Sequence, residues 1–488
     1  MALEHVDVLI VGAGLSGIGA AVHLQQHCPG RTYAILESRE TLGGTWDLFR
    51  YPGIRSDSDM YTLGYSFRPW KAAKAIADGP SILAYMRDAA REHGVDQHIR
   101  YQHRVLRAEW STPAARWTVL VERGPEREPA QLSCQFLYLC AGYYDYASGY
   151  TPSYPGLEQY RGRFVHPQQW PADLDYRGRR VVVIGSGATA VTLVPSMAQD
   201  AAKVTMLQRS PTYILALPGQ DAIANGLRRL LPAQLAYAIT RWKNVLMQMF
   251  FFNLCRHAPE LAKKLIRAGV RHQLPKGYEV DKHFAPSYNP WDQRVCLVPD
   301  GDLFQALSSG KAEIVTDHIE TFTEQGIRLK SGQELAADVV VSATGLKMLA
   351  LGGVRFVVDG EPIELSKQLS YRGMMVSDIP NMALAIGYTN ASWTLKVDLS
   401  SAYLCRLLNH MERHGYRQCT PRRNDPSVQE LPLLDFSSGY VQRAIDAFPK
   451  QGSKAPWKLY QNYLFDLLSL RFGKVDDGSL VFSGGEAK

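Results

Sequence analysis

The chain has 488 residues, of which 46% are hydrophobic and 21% charged, and its net charge is +7. This length and composition indicate a folded protein of two or three domains and exclude a disordered chain. The seven cysteines are scattered and include no Cys-x-x-Cys pair, which argues against a disulfide framework and a zinc or other metal site. We find neither a signal-peptide pattern nor an apolar run of the roughly 18–20 residues that a membrane-spanning helix needs, so we expect a cytoplasmic protein.

The first element is a strand, residues 8–11, that runs into a glycine turn and a helix. Gly12, Gly14 and Gly17 match Gly-x-Gly-x-x-Gly, where glycine allows a tight turn, close approach of a pyrophosphate and close packing of helix on strand. The next strand ends in Glu37, at the spacing where a carboxylate accepts both hydroxyls of a ribose. Because this carboxylate repels a 2′-phosphate, the first half is predicted to bind FAD or NAD and not NADP.

A loop with two glycines follows, and it also contains Arg50, Arg55 and Asp57. Such a loop suits a segment that passes a pyrophosphate and approaches an isoalloxazine ring. The alternative is a surface loop with an Arg–Asp ion pair, and the preceding glycine motif favours the flavin interpretation. The elements predicted next are a helix at 81–92 and strands at 116–121 and 136–142.

The pattern of strand, glycine turn and helix occurs a second time, 173 residues after Gly12. Gly185, Gly187 and Ala190 match the accepted variant Gly-x-Gly-x-x-Ala, and the following strand ends in Arg209 and Ser210 where the first half ends in an acid. A guanidinium beside a hydroxyl suits a 2′-phosphate, so this half is predicted to bind NADPH. The alternative is a solvent-facing arginine at a strand end. The two halves predict an α/β protein with two Rossmann-like dinucleotide-binding domains.

A basic helical insertion interrupts the second half. Residues 221–283 carry eleven Lys/Arg and four Asp/Glu, so the rest of the chain, with 43 of each sign, is neutral. We favour a helical subdomain with a basic solvated face over a surface that contacts anionic lipid or attracts anionic cofactor. Nothing in it resembles a nucleic-acid-binding module.

A short loop, Asn289–Arg294, follows the insertion and combines aromatic, acidic and basic residues. An arginine held near a flavin would stabilise an anionic intermediate, which is usually the largest electrostatic contribution to catalysis. Most arginines are surface charges, so the loop alone is a weak signal.

The stretch between the two halves carries the motif that points to a family. Tyr160, Gly162, His166, Trp170 and Pro171 match Phe-x-Gly-x-x-x-His-x-x-x-Trp followed by Pro or Asp, with Tyr in place of Phe. On this motif the chain resembles the class B flavoprotein monooxygenases, and among them the Baeyer–Villiger monooxygenases. The related N- and S-oxygenating enzymes end the motif with Tyr and a basic residue, so the Trp–Pro pair indicates the ketone-oxidising branch.

Three further segments, 43–64, 289–294 and 387–396, resemble the ethionamide-activating group of Baeyer–Villiger monooxygenases. By that resemblance Arg294 is the catalytic arginine, and Asp57 sits beside it and holds it. The resemblance implies FAD contacts at Ser16, Glu37, Gly44, Thr45, Trp46, Asp47, Asp57 and Val105, and NADP contacts at Ser186, Gly187, Ala188, Thr189, Arg209 and Ser210.

The predicted order of segments has the first domain interrupted by the second. The segments are the first part of the FAD domain (1–150), the linker and first part of the NADP domain (151–220), the helical insertion (221–288), the second part of the NADP domain (289–350), and a return to the FAD domain (351–488). The resemblance also implies a last strand at 381–387 and a helix at 394–411 that points towards the flavin.

The implied activity is the conversion of a ketone to an ester with NADPH and O₂, with oxygenation of sulfides or thioamides as a second reaction. A flavin disulfide reductase shares the two nucleotide domains but needs a cysteine pair, and none follows Gly44. Two alternatives stay open. One is an N- or S-oxygenating flavin monooxygenase without ketone activity, and the other is a flavin-binding peripheral membrane protein that uses the basic insertion.

Overall fold

The structure, a computed structural model, describes residues 3–434 and 436–484; the ends of the predicted first and last segments, residues 1–2 and 485–488, lie outside the described residues. The strands are β1 (Glu4–Val11), β2 (Tyr33–Leu36), β3 (Ile99–Arg100), β4 (His103–Ser111), β5 (Arg116–Arg123), β6 (Glu128–Leu139), β7 (Arg163–Val165), β8 (Arg180–Ile184), β9 (Lys203–Gln208), β10 (Ile214–Leu217), β11 (Cys296–Pro299), β12 (Ala312–Thr316), β13 (Ile319–Thr323), β14 (Gly326–Leu329), β15 (Glu334–Ala336), β16 (Val339–Ser342), β17 (Arg355–Val358), β18 (Glu361–Pro362), β19 (Ser370–Tyr371), β20 (Met375–Val376), β21 (Met382–Leu384), β22 (Gln418–Pro421), β23 (Glu430–Leu431), β24 (Gln451–Gly452) and β25 (Leu480–Ser483). The α-helices are α1 (Leu15–His27), α2 (Thr45–Leu48), α3 (Met60–Leu63), α4 (Gly79–Glu92), α5 (Ala188–Met197), α6 (Ala222–Leu230), α7 (Ala233–His257), α8 (Pro259–Gln273), α9 (Val280–His283), α10 (Asp302–Ser308), α11 (Trp393–Arg413), α12 (Gly439–Gln442) and α13 (Tyr463–Asp466), and α13 continues into a π-helix, Leu467–Phe472.

The larger sheet belongs to the first dinucleotide half. Its main path is β18-β17-β4-β5-β6-β1-β2-β3, and β1 lies parallel between β2 and β6. Val8, Leu9 and Ile10 of β1 are fully buried, as expected of a parallel strand whose two faces are both covered. Strand β21 pairs in parallel with the end of β6, so the chain returns to this sheet after the second half.

The second half forms a sheet of five parallel strands in the order β12-β9-β8-β16-β7. Strand β8 lies between β9 and β16 as β1 lies between β2 and β6, and α5 follows β8 as α1 follows β1. The glycine turns therefore occupy equivalent places in two similar sheets. The predicted fold class, two Rossmann-like domains with a helical insertion, is confirmed, whereas the five segment boundaries stay a prediction.

The insertion, α6 to α9, lies between the paired strands β10 and β11 and is tied to the first domain by a buried arginine of α7. Arg241 donates to the carbonyl oxygens of Tyr61 and Gly64, both at 2.8 Å, and to Asp398 Oδ2 at 3.1 Å. A buried cation needs such a full set of acceptors, because an unpaired buried charge is costly.

Several elements differ from their predicted bounds for local reasons. Helix α4 starts at Gly79 because Asp78 caps it, accepting a hydrogen bond from the Ser81 amide at 2.8 Å. The strand predicted at 136–142 is the last part of β6, which ends at Leu139. The earlier part of β6 pairs antiparallel with β5 and is too polar to be recognised by its hydrophobicity. The strand predicted at 381–387 is shorter because the chain leaves the sheet after Leu384.

A salt bridge joins two neighbouring strands of the second sheet at their starting ends. Arg180 Nη2 and Nε donate to the two oxygens of Asp338 at 2.7 and 3.1 Å, and the Arg180 amide donates to Asp338 Oδ2 at 2.8 Å. The hydrogen bonds from the Arg180 side chain and amide lower the pKa of Asp338 to about 2. The ionised carboxylate is therefore the form that the folded chain stabilises.

Asp338→Asn should lower the free energy of unfolding at neutral pH by about 1 kcal/mol, a value reduced from the full pKa shift because the pair is partly exposed. The folded pKa lies below the unfolded one, so the contribution is complete above the ordinary aspartate pKa and is lost as the pH falls towards about 2. Thermal unfolding at about pH 7 and about pH 3 should show the difference between the two proteins shrinking in acid.

The matched control for this prediction is Asp173→Asn. Asp173 lies 3.6 Å from Arg163 of the same sheet, but both side chains are more than half exposed, so its loss should change stability little at either pH. An Asp338→Asn difference that does not vary with pH would contradict the electrostatic explanation.

Candidate active site

A cavity of about 510 Å³ lies where the two dinucleotide domains meet. Its volume is within the range of cofactor and ligand sites, about 300–1,000 Å³. The predicted site residues that line it are Gly12, Gly14, Ser16, Glu37, Gly44, Thr45, Trp46, Asp57, Val105, Ala188, Thr189 and Arg294.

The first glycine turn is closed by contacts that leave no room for side chains. Gly12 has φ +104°, and a Cβ there would lie 2.6 Å from the carbonyl oxygen of Cys140. A Cβ at Gly17 would lie 1.9 Å from the carbonyl oxygen of Gly12, so Gly17 supports the turn from behind the cavity. No described side chain caps the start of α1 at Gly14, so its amide groups are available to a phosphate.

Glu37 lies at the end of β2 and is 5% exposed. Its carboxylate accepts hydrogen bonds from the amides of Ala13 at 2.8 Å and Arg39 at 2.9 Å. Burial raises the pKa of Glu37, and these two amides counter the effect only in part. A buried carboxylate with remaining acceptor capacity beside a glycine turn suits the hydroxyls of a ribose.

Of the four residues from Gly44 to Asp47, which form the start of α2, three line the cavity and one anchors the helix. Asp47 is buried outside the cavity lining, 2.7 Å from Arg39 Nη2, and accepts a hydrogen bond from Thr41 Oγ1 at 2.7 Å. This geometry makes Asp47 a support for the helix, and its direct contact with FAD stays a prediction.

The second glycine turn repeats the contact of the first. Gly185 has φ +134°, and a Cβ there would lie 2.4 Å from the carbonyl oxygen of Ala343, the counterpart of Cys140. Gly187 precedes α5, and no described side chain caps this helix. Ser186 Oγ donates to the carbonyl oxygen of Ser210 at 3.0 Å, which holds the turn beside the end of β9.

Five of the predicted NADP residues lie outside the cavity lining, and the other two reach into it. Arg209 and Ser210 are exposed just beyond β9, next to the second turn. Ala188 and Thr189, in the first turn of α5, line the cavity shared with the first domain. The helix that follows the second glycine turn therefore reaches, through its first residues, the cavity that the first glycine turn lines. The residues outside are Gly185, Ser186, Gly187, Arg209 and Ser210.

Arg294 enters the cavity from the loop before β11. Its Nη1 donates to Asp57 Oδ2 at 2.7 Å, and this contact crosses between the two halves of the chain. Burial by itself lowers the pKa of Arg294, but the carboxylate of Asp57 and the hydroxyls of Tyr143, Tyr440 and Tyr144 outweigh it and raise the pKa well above its ordinary value. Arg294 is thus a fixed positive charge in the wall of the cavity.

The three predicted linker residues lie outside the cavity and hold the linker to the second domain. His166 Nδ1 accepts from the Gln168 amide at 3.2 Å, so its Nε2 carries the hydrogen and donates to the carbonyl oxygen of Gly345 at 3.1 Å. A Cβ at Gly162 would lie 2.7 Å from the carbonyl oxygen of Asp338. Trp170 packs half-buried on the core of the second domain. The geometry supports a structural role.

Sequence reasoning missed the three tyrosines that lie near Arg294. Tyr143 and Tyr144 directly follow the end of β6, and the rule that ligands bind at the carboxyl ends of parallel strands would have found them. Tyr440 comes from α12, which no motif marks. Trp393 lines the cavity and donates to Ser16 Oγ at 2.8 Å.

The positions of the cysteines argue against a flavin disulfide reductase. All seven cysteines lie in the described residues and are buried and unpaired, and Cys140 is the one that lines the cavity. A dithiol that exchanges electrons with a flavin needs two neighbouring sulfurs at the site. The cavity therefore does not have the chemistry of a disulfide reductase.

A cavity that is lined by the first glycine turn, by the start of the helix after the second turn and by a fixed arginine indicates a flavoprotein with two dinucleotide domains. A family model described as flavin-binding monooxygenase-like matches residues 75–350, and one described as an NAD(P)-binding Rossmann-like domain matches residues 10–77. The chain belongs to the flavin-binding monooxygenase-like family, which confirms the predicted class of enzyme.

Two relatives are similar in sequence to nearly the whole chain. The FAD-containing monooxygenase EthA of Mycobacterium tuberculosis is 54% identical over 481 residues, 98% of either chain. The probable FAD-binding monooxygenase AlmA of Acinetobacter baylyi is 49% identical over 481 residues, 98% of this chain and 96% of the relative. The chain is thus similar to monooxygenases whose names state that they contain or bind FAD.

Solved structures share the fold at low sequence identity. An oxidised steroid monooxygenase bound to NADP is 21% identical with a TM-score of 0.77, covering 99% of this chain and 100% of the other. An open structure of cyclohexanone monooxygenase, also 21% identical, has a TM-score of 0.70 and covers 86% of this chain and 90% of the other. These two structures support the fold with two dinucleotide domains.

Proposed function

We propose that the protein is an FAD- and NADPH-dependent Baeyer–Villiger monooxygenase. It converts a ketone, O₂, NADPH and a proton into an ester, water and NADP⁺. The observation that carries the proposal is the position of Arg294, which Asp57 holds in the wall of the cavity that the first glycine turn and the start of α5 both line. Insertion of oxygen next to a carbonyl needs a nucleophilic oxidant, and a fixed cation would stabilise such an oxidant in its anionic form.

The residues of the first half fit FAD. The glycine turn and the free amides of α1 would bind its pyrophosphate, and Glu37 would accept the hydroxyls of its adenosine ribose. Bound FAD, once reduced by NADPH, supplies the electrons that activate O₂. The relatives that contain or bind FAD support this assignment.

The residues of the second half fit NADPH. Arg209 and Ser210 would bind the 2′-phosphate at the edge of the second turn, where the first half has Glu37. Ala188 and Thr189 would face the nicotinamide end, because they line the shared cavity. Opposite charges at equivalent places thus direct the two cofactors to different halves.

Arg294 is the proposed catalytic residue, and Asp57 is its positioning residue. The raised pKa keeps the guanidinium charged at every working pH, so it does not act as an acid. At this position its guanidinium would stabilise negative charge that develops on oxygen next to the substrate carbonyl. Tyr143 and Tyr440 line, together with Arg294, a small pocket of about 10 Å³ beside the main cavity.

Oxygenation of nitrogen or sulfur without ketone activity is the second candidate function. The observation in its favour is the description of the matching family, which specifies a flavin-binding monooxygenase and no ketone. The same cavity would also accept sulfides or thioamides, the second substrates that the sequence resemblance implies.

The proposal is tested by product analysis with isotopically labelled O₂. The FAD-loaded protein is supplied with NADPH and either a methyl alkyl ketone or a methyl aryl sulfide. We expect an ester that contains one labelled oxygen atom. Sulfoxide from the sulfide with unchanged ketone would favour the second candidate, and hydrogen peroxide as the sole product with both substrates would reject both functions.

A further inference from the structure

An apolar stripe is exposed along α7 in the insertion. Its members are spaced by three, four or one residues, which places them on one side of the helix. Phe250 is 71% exposed and Met247 is 60% exposed. The stripe consists of Leu235, Ile239, Trp242, Leu246, Met247 and Phe250.

A second group of exposed apolar side chains lies next to this stripe. It belongs to α13 and the π-helix after it, and consists of Leu464, Phe465, Leu468 and Phe472. The rings of Trp242 and Tyr463 lie 5.7 Å apart, so the two groups adjoin. We call their combined surface the apolar face.

This concentration is unusual for a soluble surface, where exposed apolar residues are normally scattered. Of the twenty large hydrophobic side chains that are exposed in the described residues, ten lie in α6 to α8 and five between Tyr460 and Phe472. None of the described helices is long and apolar enough to cross a membrane. The apolar face is therefore suited to contact from one side.

Exposed basic residues lie on α6 and α8, the insertion helices that contact α7, and on the π-helix. Arg229, Lys264 and Arg471 each directly precede an exposed apolar residue, and none of them has an acidic partner among the described side chains. The whole insertion carries the excess of seven positive charges. Two copies of this chain meeting through the same face would bring like charges together, whereas an anionic surface would be attracted.

We propose that the apolar face docks on an anionic lipid bilayer. The apolar side chains enter the interfacial region, and Arg229, Lys264 and Arg471 contact the headgroups, as in proteins that lie on a membrane without spanning it. Docking does not depend on the reaction that the cavity carries out.

A second, smaller cavity lies between the apolar face and the main cavity. It has a volume of about 220 Å³ and lies between α7 and the segment that leads into α13. Met249, Phe252 and Phe465 line it near the apolar face, and Tyr388 and Ala391 line both this cavity and the main one. If the proposed function holds, an apolar ketone dissolved in the bilayer would enter by this route.

The test is flotation of the full-length, FAD-loaded protein with lipid vesicles. Vesicles of phosphatidylcholine alone are compared with vesicles of equal parts phosphatidylcholine and phosphatidylglycerol. We expect the wild type to float with the anionic vesicles, more weakly with the neutral ones, and less at high salt. The double variant Met247→Glu/Phe250→Glu should lower the bound fraction about tenfold or more.

Leu431→Glu is the matched control, because Leu431 is also exposed (40%) but lies in β23, away from the apolar face. Equal melting temperatures of all three proteins establish that they are folded. Failure of the wild type to float with anionic vesicles, or unchanged flotation of the double variant, would overturn the proposal. A lipid-free dimer that the double variant dissociates in sedimentation velocity would assign the face to a second copy and also overturn it.

Discussion

Arg294→Ala should reduce ester formation by about 10²–10³-fold, the usual cost of removing one group that stabilises an anionic transition state. Reduction of the bound flavin by NADPH should persist, because the glycine turns, Arg209 and the N-terminus of α5 are unchanged. The measurement pairs ester formation in air with the rate of flavin bleaching by NADPH without oxygen. A loss confined to the first measurement would place Arg294 in the oxygen-transfer step.

Two variants make this result specific. Arg256→Ala removes an arginine that pairs with Asp292 of the loop before β11 at 3.1 Å but is 41% exposed, so it should leave ester formation near that of the wild type. Asp57→Asn keeps the shape of the side chain but removes the charge that orients Arg294. Its rate of ester formation should lie between those of the wild type and Arg294→Ala. Ester formation within a few-fold of normal in Arg294→Ala would remove this residue from the mechanism.

Arg209→Gln should raise the KM for NADPH by about 10–100-fold, since hydrogen bonds between charged groups contribute roughly 1.5–3 kcal/mol. The KM for NADH should change little, because NADH lacks the 2′-phosphate. The variant is therefore expected to lose its preference for NADPH. Initial rates of flavin reduction at varied concentrations of each nucleotide measure both effects.

Lys203→Gln is the control at the other end of the same strand. Lys203 Nζ lies 2.5 Å from Glu313, so its charge is already paired and lies at the opposite end of β9 from the second turn. Its replacement should leave both KM values unchanged. Equal increases for NADPH and NADH in Arg209→Gln would mean that Arg209 contacts a part common to the two nucleotides, and the 2′-phosphate assignment would be wrong.

The parts of the site that the sequence predicted depend on contacts within a strand, a turn and a helix. Gly12 and Gly185 are recognisable because the turn excludes a Cβ whatever the rest of the chain does. Glu37 and Arg209 each lie at the end of the strand that follows their own glycine turn. The number of residues between the turn and this position is nearly the same in the two halves. The placement of Arg294 beside Asp57 came from resemblance to a family, since the two residues are far apart in sequence and meet only in the folded chain.

Other parts depend on packing between distant segments, which one sequence does not specify. Tyr440 reaches Arg294 from a short helix that has no periodic pattern, and Asp47 turns away from the cavity because Arg39 and Thr41 bind it. The exposure of the apolar stripe on α7 could not be predicted from the sequence for a different reason. An amphipathic pattern indicates which residues share a side of a helix, but not whether protein covers that side.

The hydrogen bonds of Arg241 have a consequence for motion. The insertion is covalently part of the second domain, yet Arg241 fastens it to backbone carbonyls of the first domain and to Asp398 of α11. The Arg241 side chain therefore links the insertion of the second domain to the first domain. A rotation of one domain against the other would have to break these hydrogen bonds or move the insertion with the first domain, away from β10 and β11.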